Sequence, residues 1–280
     1  MAKNRFKYFL LLTRPLNVVI GMFSIFMGAF ITGTVQPLLK VLYASLSGGI
    51  IAGAANAIND YYDIAIDKIN KPHRPLAAGI IAPKEGLIFS MVLFIAGVAI
   101  GALINPAAFA LSLFASVLLF FYSYRLKRTV LWGNLTVSLI TALAFIYGGL
   151  AVNRIRLALI PALFSFFYHL GREIIKDVED VAGDRADQIV TLPIRHGEKP
   201  ALILATAIYC FLILLTLIPY IIQVFGPYYL AMVVLVVDGI IIYVLVAMWK
   251  NPVPSNLSRL SLILKLNMFA GLIAIYLGKF

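Results

Sequence analysis

Nine stretches of about twenty mostly apolar residues, the length needed to cross a hydrocarbon core, fill most of this 280-residue chain. They run roughly over 17–37, 41–62, 85–104, 106–124, 130–152, 157–175, 200–223, 227–249 and 258–278. With 62% hydrophobic and 12% charged residues, the chain lies well above the apolar share of about 45–50% typical of soluble domains. An ordinary soluble protein is excluded. The expected fold is all-α and polytopic: nine transmembrane helices in a bundle with a cytoplasmic cap. Only Asn105 and Pro106 separate the third and fourth runs, so a tight turn is predicted there.

Charge placement sets the expected orientation. Most Lys and Arg residues, among them Arg5, Lys7, Arg14, Lys68, Arg74, Lys84, Arg128 and Lys199, fall at one end of the runs. Lys40, Arg154, Arg156 and Lys279 fall at the other, which predicts a cytoplasmic N-terminus and an external C-terminus in a cell membrane. The net charge of +11 on so apolar a chain points to anionic lipid headgroups and an anionic substrate. No nucleic-acid module is visible. The single cysteine, Cys210, excludes an internal disulfide and a cysteine-rich metal site, and is expected to be a packed core thiol. The basic N-terminal segment has too short an apolar core and no small-residue cleavage site, so it reads as no cleaved signal peptide; the first helix directs insertion.

The charged residues carry a duplicated pattern. Asp60, Asp63 and Asp67 follow D-x-x-D-x-x-x-D, and Asp177, Asp180 and Asp184 repeat it 117 residues later. At about 100° per residue, positions 0, +3 and +7 fall near 0°, 300° and 340°, one narrow helical face. One turn earlier, Asn56 and Glu173 extend the two stripes. Like charges at these spacings repel, and helix C-termini disfavour anions. A solvated helix end would explain one such stripe, but two with identical spacing point to a ligand. A divalent cation relieves clustered carboxylates, and hard oxygen donors suit Mg²⁺, which binds through one or two carboxylates plus substrate phosphates. The expected ligand is a metal-bridged diphosphate.

The 117-residue offset skips an even number of helices, so the halves share a topology about an axis along the membrane normal. Asn17 and Asn134 obey the same offset. One domain over 1–280 is expected, a pseudo-repeat of about 1–124 and 125–249 plus an unpaired ninth helix. The cytoplasmic connections 68–84, 125–128 and 177–199 hold Lys68, Lys71, Arg74, Arg125, Lys127, Arg128, Arg185, Arg195 and Lys199. Together with the carboxylates they would make a diphosphate trap. Arg14, before Pro15, holds a guanidinium at the membrane edge. A diphosphate at the rim of an apolar bundle fits a lipid with a long tail. Were the tail allylic, loss of the metal-bound diphosphate would leave a cation needing shielding from water, which Tyr61, Tyr62, Tyr122 and Tyr124 could provide.

These residues carry a resemblance. N-D-Y-Y-D-I-A-I-D at 59–67, with Asn56 upstream and R-P-L-A-A-G at 74–79, resembles the first signature of the UbiA-type intramembrane prenyltransferases. K-D-V-E-D-V-A-G-D-R at 176–185, with T-L-P at 191–193, is similar to the second. The resemblance implies that Asp60, Asp63, Asp67, Asp177, Asp180 and Asp184 hold Mg²⁺ and diphosphate, the outer two of each triplet being decisive. Arg14, Asn17, Asn56, Lys68, Arg74, Tyr122, Tyr124, Lys127, Arg128, Lys176, Arg185 and Arg195 form the expected substrate-binding set. The family's aromatic and basic motif, Tyr with Lys four later, is matched loosely by Tyr122 or Tyr124 with Lys127. The second motif is most similar to the archaeal ether-lipid branch, which implies geranylgeranyl transfer from geranylgeranyl diphosphate to geranylgeranylglyceryl phosphate. The expected partners are therefore a prenyl diphosphate, a lipid acceptor and membrane lipids.

The rival within the family is an aromatic, quinone-precursor prenyltransferase, and the rival outside it a cation transporter. Transporter sites sit near the bilayer midplane, whereas both stripes lie at the membrane edge. Asp238 is the midplane acid and is expected to pair with a neighbour, Lys265 of the last helix being the candidate. His169 reads as a packing or hydrogen-bonding residue.

Overall fold

The computed structural model describes residues 2–186 and 189–279; Asp187 and Gln188 of the connection at 177–199 lie outside them. The described residues form helices and turns only. Seven helices are long and apolar enough to cross a membrane, or eight spans when a bent pair at the N-terminus counts as one. The sixth expected run becomes a helix whose last two turns carry Arg172, Glu173, Lys176 and Asp177. That charge keeps it out of the tally.

The chain divides into two compact units, 1–127 with 143–158, and 128–142 with 159–280. Unit 1 begins with α1 (Ala2–Leu12) and α2 (Pro15–Phe30), which bend by 51° at Thr13 and Arg14. Proline disfavours the right-handed helical region for the residue before it, and Arg14 takes a left-handed conformation at φ 52°. The long α3 (Leu38–Tyr62) packs most extensively on α5 (Pro83–Ala102), then on α2 and α6 (Pro106–Tyr124). The predicted tight turn joins α5 to α6, where the Asn105 side chain caps α6 by accepting from Ala108 N–H at 2.8 Å. Ile25, Ala29, Val41, Ala44, Ala108 and Tyr147 centre one buried cluster. Inside it Ser47 Oγ donates to the Gly97 carbonyl at 2.7 Å and meets the Tyr147 hydroxyl at 2.8 Å.

The short α4 (Ile64–Asn70) follows α3. A 3₁₀ turn (Leu126–Arg128) then leads to α7 (Trp132–Ala151), which starts in unit 2 and ends in unit 1.

In unit 2, α8 (Leu159–Glu179) packs mainly on α11 (Glu198–Ile221) and α14 (Pro254–Leu277). The short α9 (Val181–Ala186) and α10 (Leu192–His196) lie between α8 and α11. The run at 227–249 is not one regular helix. α12 (Pro227–Met232) passes through a π-helical stretch over Val233–Asp238 into α13 (Gly239–Lys250). A single apolar run carries no local signal for such a bulge.

Asp238, expected beside Lys265, accepts a hydrogen bond from the Thr216 hydroxyl of α11 at 3.1 Å. One expectation fails here. Cys210 is exposed, on the same face of α11 as Phe211 and Leu214, because an apolar helix in lipid needs no polar outer face.

In unit 1, α2 and the second half of α7 cross where both carry glycine. A Cβ at Gly28 would overlap the Phe145 carbonyl, and one at Gly148 would overlap the Ile25 carbonyl. Backbone cannot yield as a side-chain tip does, so Gly148→Ala forces the helices apart. It is expected to cost about 1–3 kcal/mol by denaturant titration in detergent micelles. Gly21→Ala, whose Cβ meets nothing within 4 Å, leaves stability unchanged.

Candidate active site

Both acidic triplets straddle a helix break at their middle residue. α3 ends at Tyr62 and α4 starts at Ile64, with Asp63 between them at φ −97°, ψ 5°. In the second copy α8 ends at Glu179 and α9 starts at Val181, with Asp180 between. The stripes therefore do not run along straight helices. Backbone hydrogen bonds nevertheless continue across the breaks: Asp67 N–H donates to the Asp63 carbonyl at 2.7 Å, and Asp184 N–H to the Asp180 carbonyl at 2.9 Å. The two copies share a local backbone design as well as a spacing.

In the first copy the outer carboxylates converge. Asp60 and Asp67 are buried, 3% and 4% exposed, and both accept from one nitrogen of Arg74, Nη1, at 3.0 and 2.6 Å. Arg14 Nη2 reaches the same Asp60 oxygen at 2.5 Å. Asp63 turns elsewhere, accepting from the Lys127 ammonium and from Asn59 Nδ2 at 2.9 Å. These cations offset part of the cost of burying the carboxylates.

Local folding delivers each of these cations. The left-handed turn at Arg14 aims its guanidinium back at α3, the kind of backbone strain that persists where surroundings over-determine it. The connection after α4 is anchored by Leu76 and Ile81, buried with Leu12 and Ala57. Ala78 N–H donates to the Arg74 carbonyl at 2.8 Å, and Gly79 supplies a positive φ of 70°, so the arginine sits on a short, closed turn. Asn56 Nδ2 donates to the Thr13 carbonyl at 2.9 Å, tying α3 to the α1–α2 bend.

Unit 2 solves the same problem differently. Asp177 accepts from Asn134 Nδ2 at 2.8 Å, and Asn134 is the residue that lies 117 positions after Asn17. Glu173, which replaces Asn56, is neutralised by Arg172 Nη1 at 2.9 Å and Lys176 Nζ at 3.2 Å. Arg172 Nε also donates to the Ser261 carbonyl, joining α8 to α14. Asp177 lies past the end of the apolar run. Burial is the main cause that pushes its carboxyl up to about 7; the Asn134 hydrogen bond opposes this, and Glu173 and Asp184 add to it.

Of the other expected residues, Asn17 is half-buried on the first turn of α2, while Lys68, Arg128, Arg185 and Arg195 are exposed. Asp180 is exposed and Asp184 half-buried. Tyr124 stacks on Tyr62 at 5.6 Å between ring centroids, and Tyr62 meets Tyr61 and Phe120; Tyr122 is half-buried nearby on α6. Asn59 and Arg172 escaped the sequence reading; Asn59 lies four residues before Asp63, a spacing that pairs on helices, whereas Arg172 adjoins Glu173, a spacing that carries no such signal.

Among the described residues no three His, Cys, Asp or Glu side chains converge closely enough to hold a metal unaided. The donor set still fits Mg²⁺. Two hard oxygens that share one Arg74 nitrogen can share one cation, and Mg²⁺ completes its shell from phosphate and water.

The chain matches the UbiA prenyltransferase family over residues 21–269. The curated digeranylgeranylglyceryl phosphate synthase of Methanococcus aeolicus is 36% identical over 277 residues, 98% of each chain. A solved structure of a digeranylgeranylglyceryl phosphate synthase superposes with a TM-score of 0.82 at 32% identity, over 98% of each chain. A UbiA homologue from Archaeoglobus fulgidus, solved bound to GPP and Mg²⁺, shares the fold with a TM-score of 0.69 at 21% identity, over 96% of this chain and 99% of that one. The family match spans most of the chain and both acidic triplets, so this protein belongs to the UbiA prenyltransferase family.

Proposed function

We propose that the chain is a nine-span membrane enzyme that transfers a geranylgeranyl group from geranylgeranyl diphosphate to geranylgeranylglyceryl phosphate, forming the second ether bond of archaeal membrane lipids. One observation carries it: the outer carboxylates of the first triplet meet at a single cation-sized point, in a chain alike from end to end to digeranylgeranylglyceryl phosphate synthases. The N-terminus is cytoplasmic and both triplets belong to a cytoplasmic cap, a reading supported by the Lys and Arg bias. The halves, about 1–124 and 125–249, form one domain with the last helix added.

In this assignment Asp60 and Asp67, with Asp63 in support, and Asp177, Asp180 and Asp184 hold Mg²⁺ and the donor diphosphate. Bound Mg²⁺ neutralises charge on the departing diphosphate. Arg14, Arg74 and Lys127 stand beside the first triplet as charge-assisted donors for diphosphate oxygens, with Lys68, Lys176 and Arg185 around the motifs. Asn17, Asn56 and Asn134 orient the carboxylates and the helices that carry them. Tyr62, Tyr122 and Tyr124 offer aromatic faces to positive charge developing on the allylic carbon. The acceptor is a lipid that enters from the bilayer, and the exposed Arg128 and Arg195 meet its phosphate.

Three outcomes are expected. Purified protein in nanodiscs, given geranylgeranyl diphosphate and geranylgeranylglyceryl phosphate, yields the diether phosphate by mass spectrometry and stops with EDTA. Asp60→Ala, Asp67→Ala, Asp177→Ala and Asp184→Ala each lower kcat at least about 100-fold, and Asp63→Ala and Asp180→Ala less. Prenylation of 4-hydroxybenzoate with none of the diether would overturn the acceptor, and near-wild-type rates for the four Ala variants would overturn the site.

Arg74→Leu strands the buried Asp67 and leaves the buried Asp60 with Arg14 alone. In metal-free buffer it is expected to cost about 3–5 kcal/mol of stability, most of which Asp60→Asn and Asp67→Asn added together restore. Finally, Arg128→Gln and Arg195→Gln raise KM for the acceptor more than KM for the donor. Equal rises for both substrates would move these arginines to the diphosphate.

A further inference from the structure

Ether formation releases a proton that the carboxylates are badly placed to take. The acceptor hydroxyl oxygen forms a bond to C1 of the prenyl group while the old C–O bond breaks and its electron pair leaves on the diphosphate. The hydroxyl hydrogen must pass to a base. Asp60, Asp63 and Asp67 are committed to Arg14, Arg74 and Lys127, Asp177, Asp180 and Asp184 are assigned above to Mg²⁺, and a carboxylate serving a cation is a poor proton acceptor. A neutral nitrogen base on the tail side of the diphosphate is what the step requires.

We propose that His169 is that base. On α8, His169, Glu173 and Asp177 are spaced i, i+4, i+8, within an arc of about 80°. His169 thus continues the acidic stripe about 12 Å further along the helix, toward the apolar interior, where the reacting carbon lies when its diphosphate is held at the carboxylates. The residue is half-buried, and Nδ1 is closed off with no hydrogen-bond partner. Nε2 is the nitrogen left to serve a substrate.

The polar neighbours are already engaged. The Tyr168 hydroxyl donates to the Leu264 carbonyl at 2.7 Å, the Tyr209 hydroxyl to the Tyr168 carbonyl at 3.1 Å, and Arg172 Nε to the Ser261 carbonyl. Rings of Tyr168 and His169 meet edge-on at 6.4 Å. The charged groups acting on His169 are Glu173, Arg172 and Lys176. Of the elements packed on α8, α11 presents Tyr209, α14 carries Arg259 and Lys265, and α10 carries Arg195 and His196. Glu173, held between Arg172 and Lys176, lies one turn away and is the nearest anion to the imidazolium formed when Nε2 takes the proton.

This assignment rests on the alkyl-transfer reading, and the test separates the two. Wild-type protein in nanodiscs is first required to make the diether; if it makes none, the alkyl-transfer reading fails, whatever His169 does. His169→Gln and His169→Asn are then compared with it. Expected for both is a fall in kcat of about 100-fold, with KM for each lipid and the affinity for the Mg²⁺ complex of a non-hydrolysable diphosphate analogue within about threefold, too small to carry the catalytic loss. The wild-type rate declines as acid protonates the imidazole, the variants lose that acid limb, and added imidazole restores part of the variant rate. Wild-type kcat with the acid limb intact would overturn the proposal. So would a loss of analogue affinity or thermal stability that matches the loss of rate, or the absence of any imidazole rescue.

Discussion

A carboxylate carried to the edge of a hydrocarbon layer stays ionised only if a cation or a set of donors meets it there, and unit 1 is arranged around that need. Asp60 and Asp67 share Arg74, so the connection after α4 must fold back over the end of α3 rather than extend into solvent. Leu76 and Ile81 anchor it, and the bend before α2 brings Arg14 to the same oxygen. Removing either carboxylate would leave the loop without its electrostatic anchor, and removing the loop would leave the carboxylates uncompensated. The site and the local fold are one structure.

Much of this is legible in the sequence because its causes are periodic. Apolar runs of helix length, the D-x-x-D-x-x-x-D spacing and the Lys and Arg bias depend only on residue type and interval. The Asn17 and Asn134 offset is legible in the same way, though the Asn134 contact with Asp177 is seen only in the structure. The Arg-Pro dipeptide at 14 and 15 marks the bend, since proline restricts the residue before it.

What stays hidden depends on neighbours distant in sequence. The breaks at Asp63 and Asp180 carry no Gly or Pro, the residues that normally punctuate a helix, and the two positions differ in environment, one pinned by Lys127 and the other exposed. The partner of Lys127 is set by how the turn after α6 meets α3, which spacing alone cannot encode. The π-helical stretch before Asp238 and its Thr216 hydrogen bond are likewise tertiary. An apolar run reads the same whether or not one carbonyl slips its partner, and an exposed Cys210 reads the same as a buried one when lipid is the solvent.

The two copies of the motif are chemically unequal, and the inequality begins at a single position. Where the first stripe has Asn56, which spends its amide on the Thr13 carbonyl, the second has Glu173, which draws Arg172 and Lys176 to itself. The cations nearest the second triplet are thereby engaged one turn away from it, and Asp177 meets an uncharged amide instead of a guanidinium. Burial then raises its carboxyl to about 7, whereas the charge of Asp60 is compensated by Arg14 and Arg74. The spacing is the same in both copies, and one difference, Glu for Asn, accompanies an unequal charge environment: guanidinium groups meet the outer carboxylates of the first triplet, whereas Asp177 meets an amide.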